Sequence, residues 1–481
     1  ATVVRTMAMY EEDDALGRRL RWAFDAPQLF LVPDAGAWAN AFYERASHSL
    51  QFFSFPNPLR PGELVHTSLS RDIVAHETGH AILDGIAPDL YDAITPQSLA
   101  LHEAIADLTA LLMAFRSHTL RDGILRRTGG SIEESTEFSS VAEQFGTALR
   151  QTGHVGYLRS LRNDKTLDPS DRSVDENGEP NRVSRSKPHS LCTVLTGALY
   201  RVMVNIHNGL KQRLARAEGR TEYAVSGKAL AIGAERFKRI ILRALDYLPP
   251  GEISFADYGR AIIAADQASH PDDQDERRWL VDEFVRRHMA PDAAALAVRT
   301  GYPCDALDGL DLETLSRSDW AAYDFANRNR ALLHIPPEAP FHVRQRLDVR
   351  KRYYLRGGPR DIRECLFKVA WSAPEDNPLG ARYPRRRQIT LGTTLAVDWE
   401  SGAVRALLTT ARDQRPGEDS QQADDRTALL RALLDEGLLA VGSAAIGPAN
   451  APLRGVVGAE TAEGLMRVSG AARMLEIAKG V

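Results

Sequence analysis

The chain has 481 residues, 43% of them apolar, with 60 basic and 64 acidic side chains and a net charge of −4. That is the balance of a globular protein of two or three domains, and it gives no global reason to bind nucleic acid or an anionic membrane. No apolar run reaches about 18 residues, so no membrane-spanning helix is expected, and the scattered Cys192, Cys304 and Cys365 build no disulfide framework.

In chain order, residues 1–70 are mixed, and the aromatic-rich stretch Ser49–Pro58 reads as a strand. Asp72–Asp84 has helical winding, with Ile73, Ile82 and Leu83 on it. "APDLYDAITPQS" breaks that helix, and a second follows over Ser98–Phe115, so densely apolar that it must be mostly buried. Asn163–Pro188 is polar and aperiodic, a long surface loop. Helices resume over Leu191–Arg213, Ser226–Tyr247, from near Ser254, and over Asp275–Arg287.

After about residue 290 the character changes. Glu364–Ser372 alternates like a strand. "RRRQITLGTTLAVD" and "AVRALLTTA" read as two more strands joined at "WESG". An acidic loop, "GEDSQQADD", leads to the helix "RTALLRALLDEG". The basic run Arg385, Arg386, Arg387 reads as a solvated strand edge. Few cysteines favour a reducing, cytoplasmic compartment. The start at Ala1, without Met, also fits a secreted chain whose leader has been removed.

The chemistry concentrates in "HETGH". Residues four apart share a helix face, so His76 and His80 offer two imidazoles to one ion. Zinc takes neutral imidazole nitrogens in tetrahedral geometry. Glu77 lies about 100° around the helix from His76, where it suits a general base rather than a ligand. Catalytic zinc wants a third protein ligand. The buried second helix carries Glu103 and Asp107 at i, i+4, and buried carboxylates need partners. A metal for Glu103 and the outer N–H of a metal-bound imidazole for Asp107 would supply them. The neighbouring His102 points to a different face and reads as packing. Gly79, costly in a helix, implies close packing against the second helix.

H-E-x-x-H followed on a second helix by E-x-x-x-D resembles the thermolysin-like (gluzincin) zinc metallopeptidases. The resemblance makes His76, His80 and Glu103 the zinc ligands, Glu77 the base and Asp107 the partner of His76. It adds Tyr91 and His189 as donors to the oxyanion, and Arg159, in "YLRSL", as the group that holds a substrate carbonyl. "NAFY" resembles the family's edge-strand segment, so Asn40 and Ala41 would pair with the substrate backbone. Ile73 and Leu158 would wall the pocket for the residue after the scissile bond, with Val194 or Leu195 beside them.

The similarity covers roughly residues 35–290 in scattered pieces. It implies an α+β fold: a thermolysin-like metallopeptidase domain, 1–295, with a shortened N-terminal β lobe and a helical C-terminal lobe. A separate small α+β accessory domain, 296–481, would follow. Two positions depart from the family. Ser184 stands where the family has the Asp that orients its catalytic histidine, leaving Asp175 or Glu179 as substitutes. Ala114 replaces a glutamate of the structural calcium site, although Asp72 matches another calcium ligand.

The expected activity is zinc-dependent endopeptidase hydrolysis of peptide or protein substrates, before hydrophobic residues. A metallopeptidase fold that has lost catalysis and serves as a binding scaffold is one alternative. A narrow-specificity exopeptidase is another. Neither a nucleic-acid partner nor a membrane span is expected, and the oligomeric state is left open.

Overall fold

The computed structural model describes residues 1–57, 60–134, 136–141, 159–269, 274–355, 358–415, 417–441, 456–460 and 464–472, which form a mixed α+β chain. Helix α1 (Thr2–Glu11), unforeseen in the sequence, drives Tyr10 into the interior, where its hydroxyl meets Thr109 Oγ1 at 2.6 Å. Five short strands follow: β1 (Phe30–Val32), β2 (Ala41–Glu44), β3 (Ser49–Phe52), β4 (Ser54–Pro56) and β5 (Leu64–His66). The sheet order β1-β3-β2 leaves β2 at an edge, and β4 pairs with β5. The single strand expected over Ser49–Pro58 is thus two strands in two sheets, broken at Phe53.

Helix α2 (Arg71–Ile86) stops before Pro88, which cannot continue a helix. The short α3 (Asp89–Asp92) carries Tyr91 across to α4 (Pro96–Phe115). Pro96 opens α4 at a position where its missing N–H costs nothing. By length and composition α4 could cross a membrane, but 89% of its apolar window is buried inside the protein, where it serves as the central helix. It also carries Glu103 and Asp107, both fully buried. Helix α5 (His118–Arg127) and the two-residue strands β6 (Ser140–Val141) and β7 (Arg159–Ser160) follow.

The helical lobe continues with α6 (Pro188–Glu218), α7 (Glu222–Tyr247), α8 (Phe255–Ser269) and α9 (Asp275–Arg286). Helix α6 ends at Gly219 in a left-handed cap, φ 63°, which glycine adopts without steric cost. The preceding loop, 163–187, contains neither helix nor named strand, as its composition implied. Buried Arg287 anchors it, donating to Asn163 O at 2.7 Å and to Lys165 O at 2.9 Å.

The second half brings α10 (Leu312–Arg317), α11 (Asp319–Arg328) and strands β8 (Phe341–Val343), β9 (Leu347–Leu355), β10 (Gly358–Asp376), β11 (Arg386–Asp398) and β12 (Val404–Thr409). Then come α12 (Glu418–Asp435), β13 (Leu439–Val441), β14 (Val456–Glu460) and β15 (Leu465–Ser469). The long antiparallel pair β10–β11, from Glu364 opposite Asp398 to Asp376 opposite Arg386, is the spine of an eight-stranded sheet.

Two expectations are corrected here. The acidic stretch before "RTALLRALL" is the first part of α12, because Glu418 and Asp419 favour the positive end of a helix. Arg387 is not solvated. Strand alternation turns it inward, fully buried, to bond Glu375, Thr427 Oγ1 and Ala423 O, while Arg386 stays exposed.

One hydrophobic core runs through both halves. Polar bonds cross between them as well: Lys368 Nζ and Thr394 Oγ1 both donate to Leu248 O, at 2.9 and 2.8 Å. Arg426 Nη1 donates to Thr95 Oγ1, at the start of α4, at 2.9 Å.

Candidate metal centre and active site

Helices α2 and α4 pack closely enough to bring three donor groups together. Gly79 makes this possible: a Cβ there would stand 3.0 Å from Ala106 Cα and 3.0 Å from Thr109 Oγ1. The approach expected from that glycine is therefore present. His76 and His80, one turn apart on α2, face Glu103 on α4.

His76 Nε2 lies 3.1 Å from His80 Nε2. Glu103 Oε2 lies 3.8 Å from His76 Nε2, and Oε1 lies 3.5 Å from His80 Nε2. Donors placed tetrahedrally at zinc bond lengths stand about 3.3 Å from one another. The separations are near that length, with His76 and His80 each closest to a different oxygen of the one carboxylate, and all three groups are buried. Nitrogen and carboxylate oxygen are donors that zinc accepts, so the residues fit the ion.

The imidazoles are held from behind. Asp107 Oδ1 lies 2.9 Å from His76 Nδ1, on the side of the ring away from Glu103, where a carboxylate can favour the tautomer that leaves Nε2 free to be a ligand. His80 Nδ1 faces His102 Nδ1 at 3.3 Å. Burial, helped by the charge of Arg45, pushes His102 down to about 3, so it is neutral and its unprotonated ring nitrogen can accept a hydrogen bond from His80. His102 is therefore a partner of a candidate ligand and not only packing. Sequence reasoning missed it because the direction of one side chain on a helix depends on the neighbouring helix. The signal available was its place directly before Glu103.

The remaining residues take up separate positions. Glu77 is 2% exposed, next to His76 on α2. Tyr91 is 5% exposed, its ring centroid 6.4 Å from that of His102. His189, at the start of α6 and partly exposed, has Nε2 3.6 Å from Glu103 Oε1. Three helices, α2, α4 and α6, thus bring His76, His80, Glu103 and His189 together. Asp175 does not orient His189. Its carboxylate is engaged by Lys165 Nζ at 3.2 Å and by the amides of Asn177 and Glu179. Ser184 is hydrogen-bonded to Ser186.

Asn40 precedes edge strand β2, and its Oδ1 accepts the Ala41 amide at 2.9 Å. Ile73, Val194 and Leu195 are buried. Leu158 lies outside the described residues. Arg159 is described in its backbone, which pairs with Val141.

Asp72, matched to the calcium site by resemblance, accepts from the Ser70 hydroxyl. It belongs to neither group of closely spaced metal-suited side chains among the described residues. The second such group, Glu12, Asp14 and Glu235, surrounds the ammonium of Lys238, which lies 2.8 Å from Asp14 Oδ1 and 2.6 Å from Glu235 Oε2. No family model matches the chain, and no curated protein matches it.

Proposed function

We propose that the chain is a zinc-dependent endopeptidase of thermolysin-like type that cuts before hydrophobic residues. The observation that carries this reading is the convergence of His76, His80 and Glu103, buried and within 3.8 Å of one another, with Asp107 Oδ1 2.9 Å from His76 Nδ1. His76, His80 and Glu103 would hold the ion, and zinc when bound supplies a Lewis acid that makes a water nucleophilic near neutral pH.

The protein's own groups do the rest. Glu77 takes the proton from the attacking water and passes it to the leaving amine, so one carboxylate serves as base and then acid. Tyr91 Oη–H and His189 Nε2–H donate to the oxygen that becomes negative in the tetrahedral state. Asn40 and Ala41, at the edge of a sheet, align the substrate backbone as an added strand. Arg159 holds a substrate carbonyl. Ile73 and Leu158, with Val194 or Leu195, make the following side chain's pocket apolar.

Replacing Glu77 by Gln removes the base while keeping size and the metal ligands. The variant should hold zinc at native stoichiometry and lose peptide hydrolysis. Near-native hydrolysis by that variant sinks the mechanism. A digest of a denatured proteome by the native protein separates the alternatives: many internal cuts mark an endopeptidase, and trimmed termini an exopeptidase. No cuts with zinc bound mark a scaffold.

A further inference from the structure

Arg45, which directly follows β2, lies with its guanidinium carbon 4.1 Å from the centroid of the Tyr91 ring. Four bonds fix that guanidinium. Nε donates to Asp84 Oδ2 at 2.9 Å, and Nη2 to Asp84 Oδ1 and to Pro88 O, the latter at 2.7 Å. Nη1 donates to Asp92 Oδ2 at 3.1 Å. Asp84 stands near the end of α2 and Asp92 follows Tyr91, so one side chain ties the His76–His80 helix to the segment bearing Tyr91. Tyr43 completes the clamp: its hydroxyl donates to Asp84 Oδ2 at 2.7 Å and its ring meets the Tyr91 ring edge-on at 6.2 Å.

The second half of the chain holds the same segment from the other side. Ala472 N donates to Tyr91 O at 3.0 Å, and Gly470 N to Asp92 Oδ1 at 2.6 Å. The backbone of Tyr91 is thus fixed by the turn after β15, and its ring by Arg45.

We propose that Arg45 is a positioning residue for Tyr91, holding the ring in place and polarising the phenol so that its O–H is a stronger donor. A cation over the face of an aromatic ring is attracted to it and draws electron density from the oxygen, more so where water is excluded. Burial lowers the Arg45 pKa, but the bonds to Asp84 outweigh it and raise it above the ordinary arginine value, so the charge persists. What the phenol does with its proton rests on the peptidase reading. Where the ring is held does not.

The test uses the full-length, zinc-loaded protein and a quenched fluorogenic peptide with Gly-Leu at its centre. Arg45→Met should lower kcat about tenfold with KM little changed, and Arg45→Lys should recover part of the loss. The Arg45→Met/Tyr91→Phe double variant should be no slower than Tyr91→Phe alone, because Arg45 acts through that hydroxyl. Losses that multiply in the double variant overturn the proposal.

A fluorotyrosine placed at position 91 gives a readout that needs no turnover. Its titration midpoint by fluorine NMR should move upward in Arg45→Met, since removing a nearby cation disfavours the phenolate. An unmoved midpoint overturns the proposal. Should Arg45→Met not fold, Arg45→Lys carries both readouts with smaller changes of the same sign. A native protein that cleaves no peptide while the midpoint still moves ends the peptidase reading and leaves Arg45's hold on Tyr91 standing.

Discussion

Asp107 Oδ1 lies 2.9 Å from His76 Nδ1, deep in the interface between α2 and α4. Partners of this kind fix the tautomer and orientation of a ligand imidazole and raise its basicity. Asp107→Ala should weaken zinc binding by about 10- to 100-fold, read by competition with a chelating dye. His102→Leu, which removes the acceptor facing His80 Nδ1 at 3.3 Å, should weaken it in the same direction. His102→Asn, with a carbonyl oxygen in its place, should do so less. Native affinity in both Asp107→Ala and His102→Leu would show that neither contact matters to the metal.

Gly79→Ala sets two effects against each other. Alanine is the better helix former by about 1 kcal/mol. Its Cβ, however, would stand 3.0 Å from the Ala106 Cα, a backbone atom that cannot rotate away. Overpacking of this kind costs about 1–3 kcal/mol. The clash should win, and the melting temperature should fall. Parting α2 from α4 should also weaken zinc binding, because the proposed ligands come from both helices. A higher melting temperature with unchanged zinc affinity would refute the prediction.

Asp246 is fully buried between Arg18, at 2.6 Å, and Lys351, at 3.1 Å. Burial alone would raise its pKa, but the charges of Arg18 and Lys351 and the Arg18 hydrogen bond outweigh it and hold the carboxyl down at about 2. A pKa depressed on folding contributes stability above the unfolded value, about 3.9, and that stability is lost as pH falls toward the folded value. Asp246→Asn leaves buried cations short of a partner and should cost about 3–5 kcal/mol at pH 6. The gap between native and variant should narrow only below about pH 4. Urea unfolding across that range checks it, and a gap that closes already at pH 6 contradicts the assignment.

Cleavage-site profiles test the pocket. Ile73, Val194 and Leu195 are buried and apolar, so an acidic or basic side chain there would lose its water without gaining a partner. Each buried methylene gains about 0.8 kcal/mol. Leu, Phe, Ile and Val should dominate after the cut, with Asp, Glu and Lys rare. A profile rich in charged residues or glycine would remove these side chains from the proposed pocket while leaving the proposed zinc chemistry untouched.

What the sequence determined by itself is what helical periodicity encodes within a single element. Two histidines four apart, and two carboxylates four apart in an apolar helix, share faces whatever surrounds them. The pairing of His76 with Asp107, and the close approach at Gly79, follow once two such helices must meet. The long helices and the β11–β12 hairpin at "WESG" were legible for the same reason, since their periods are local. Only the tertiary structure decided which side chains meet across elements. His102 reached His80, Arg45 reached Tyr91, and Arg387 turned inward to Glu375, although a charged residue beside other charges reads as solvated. In each case the outcome depends on the rotation of one element against another, set by packing over the whole interface. No spacing along the chain records that rotation.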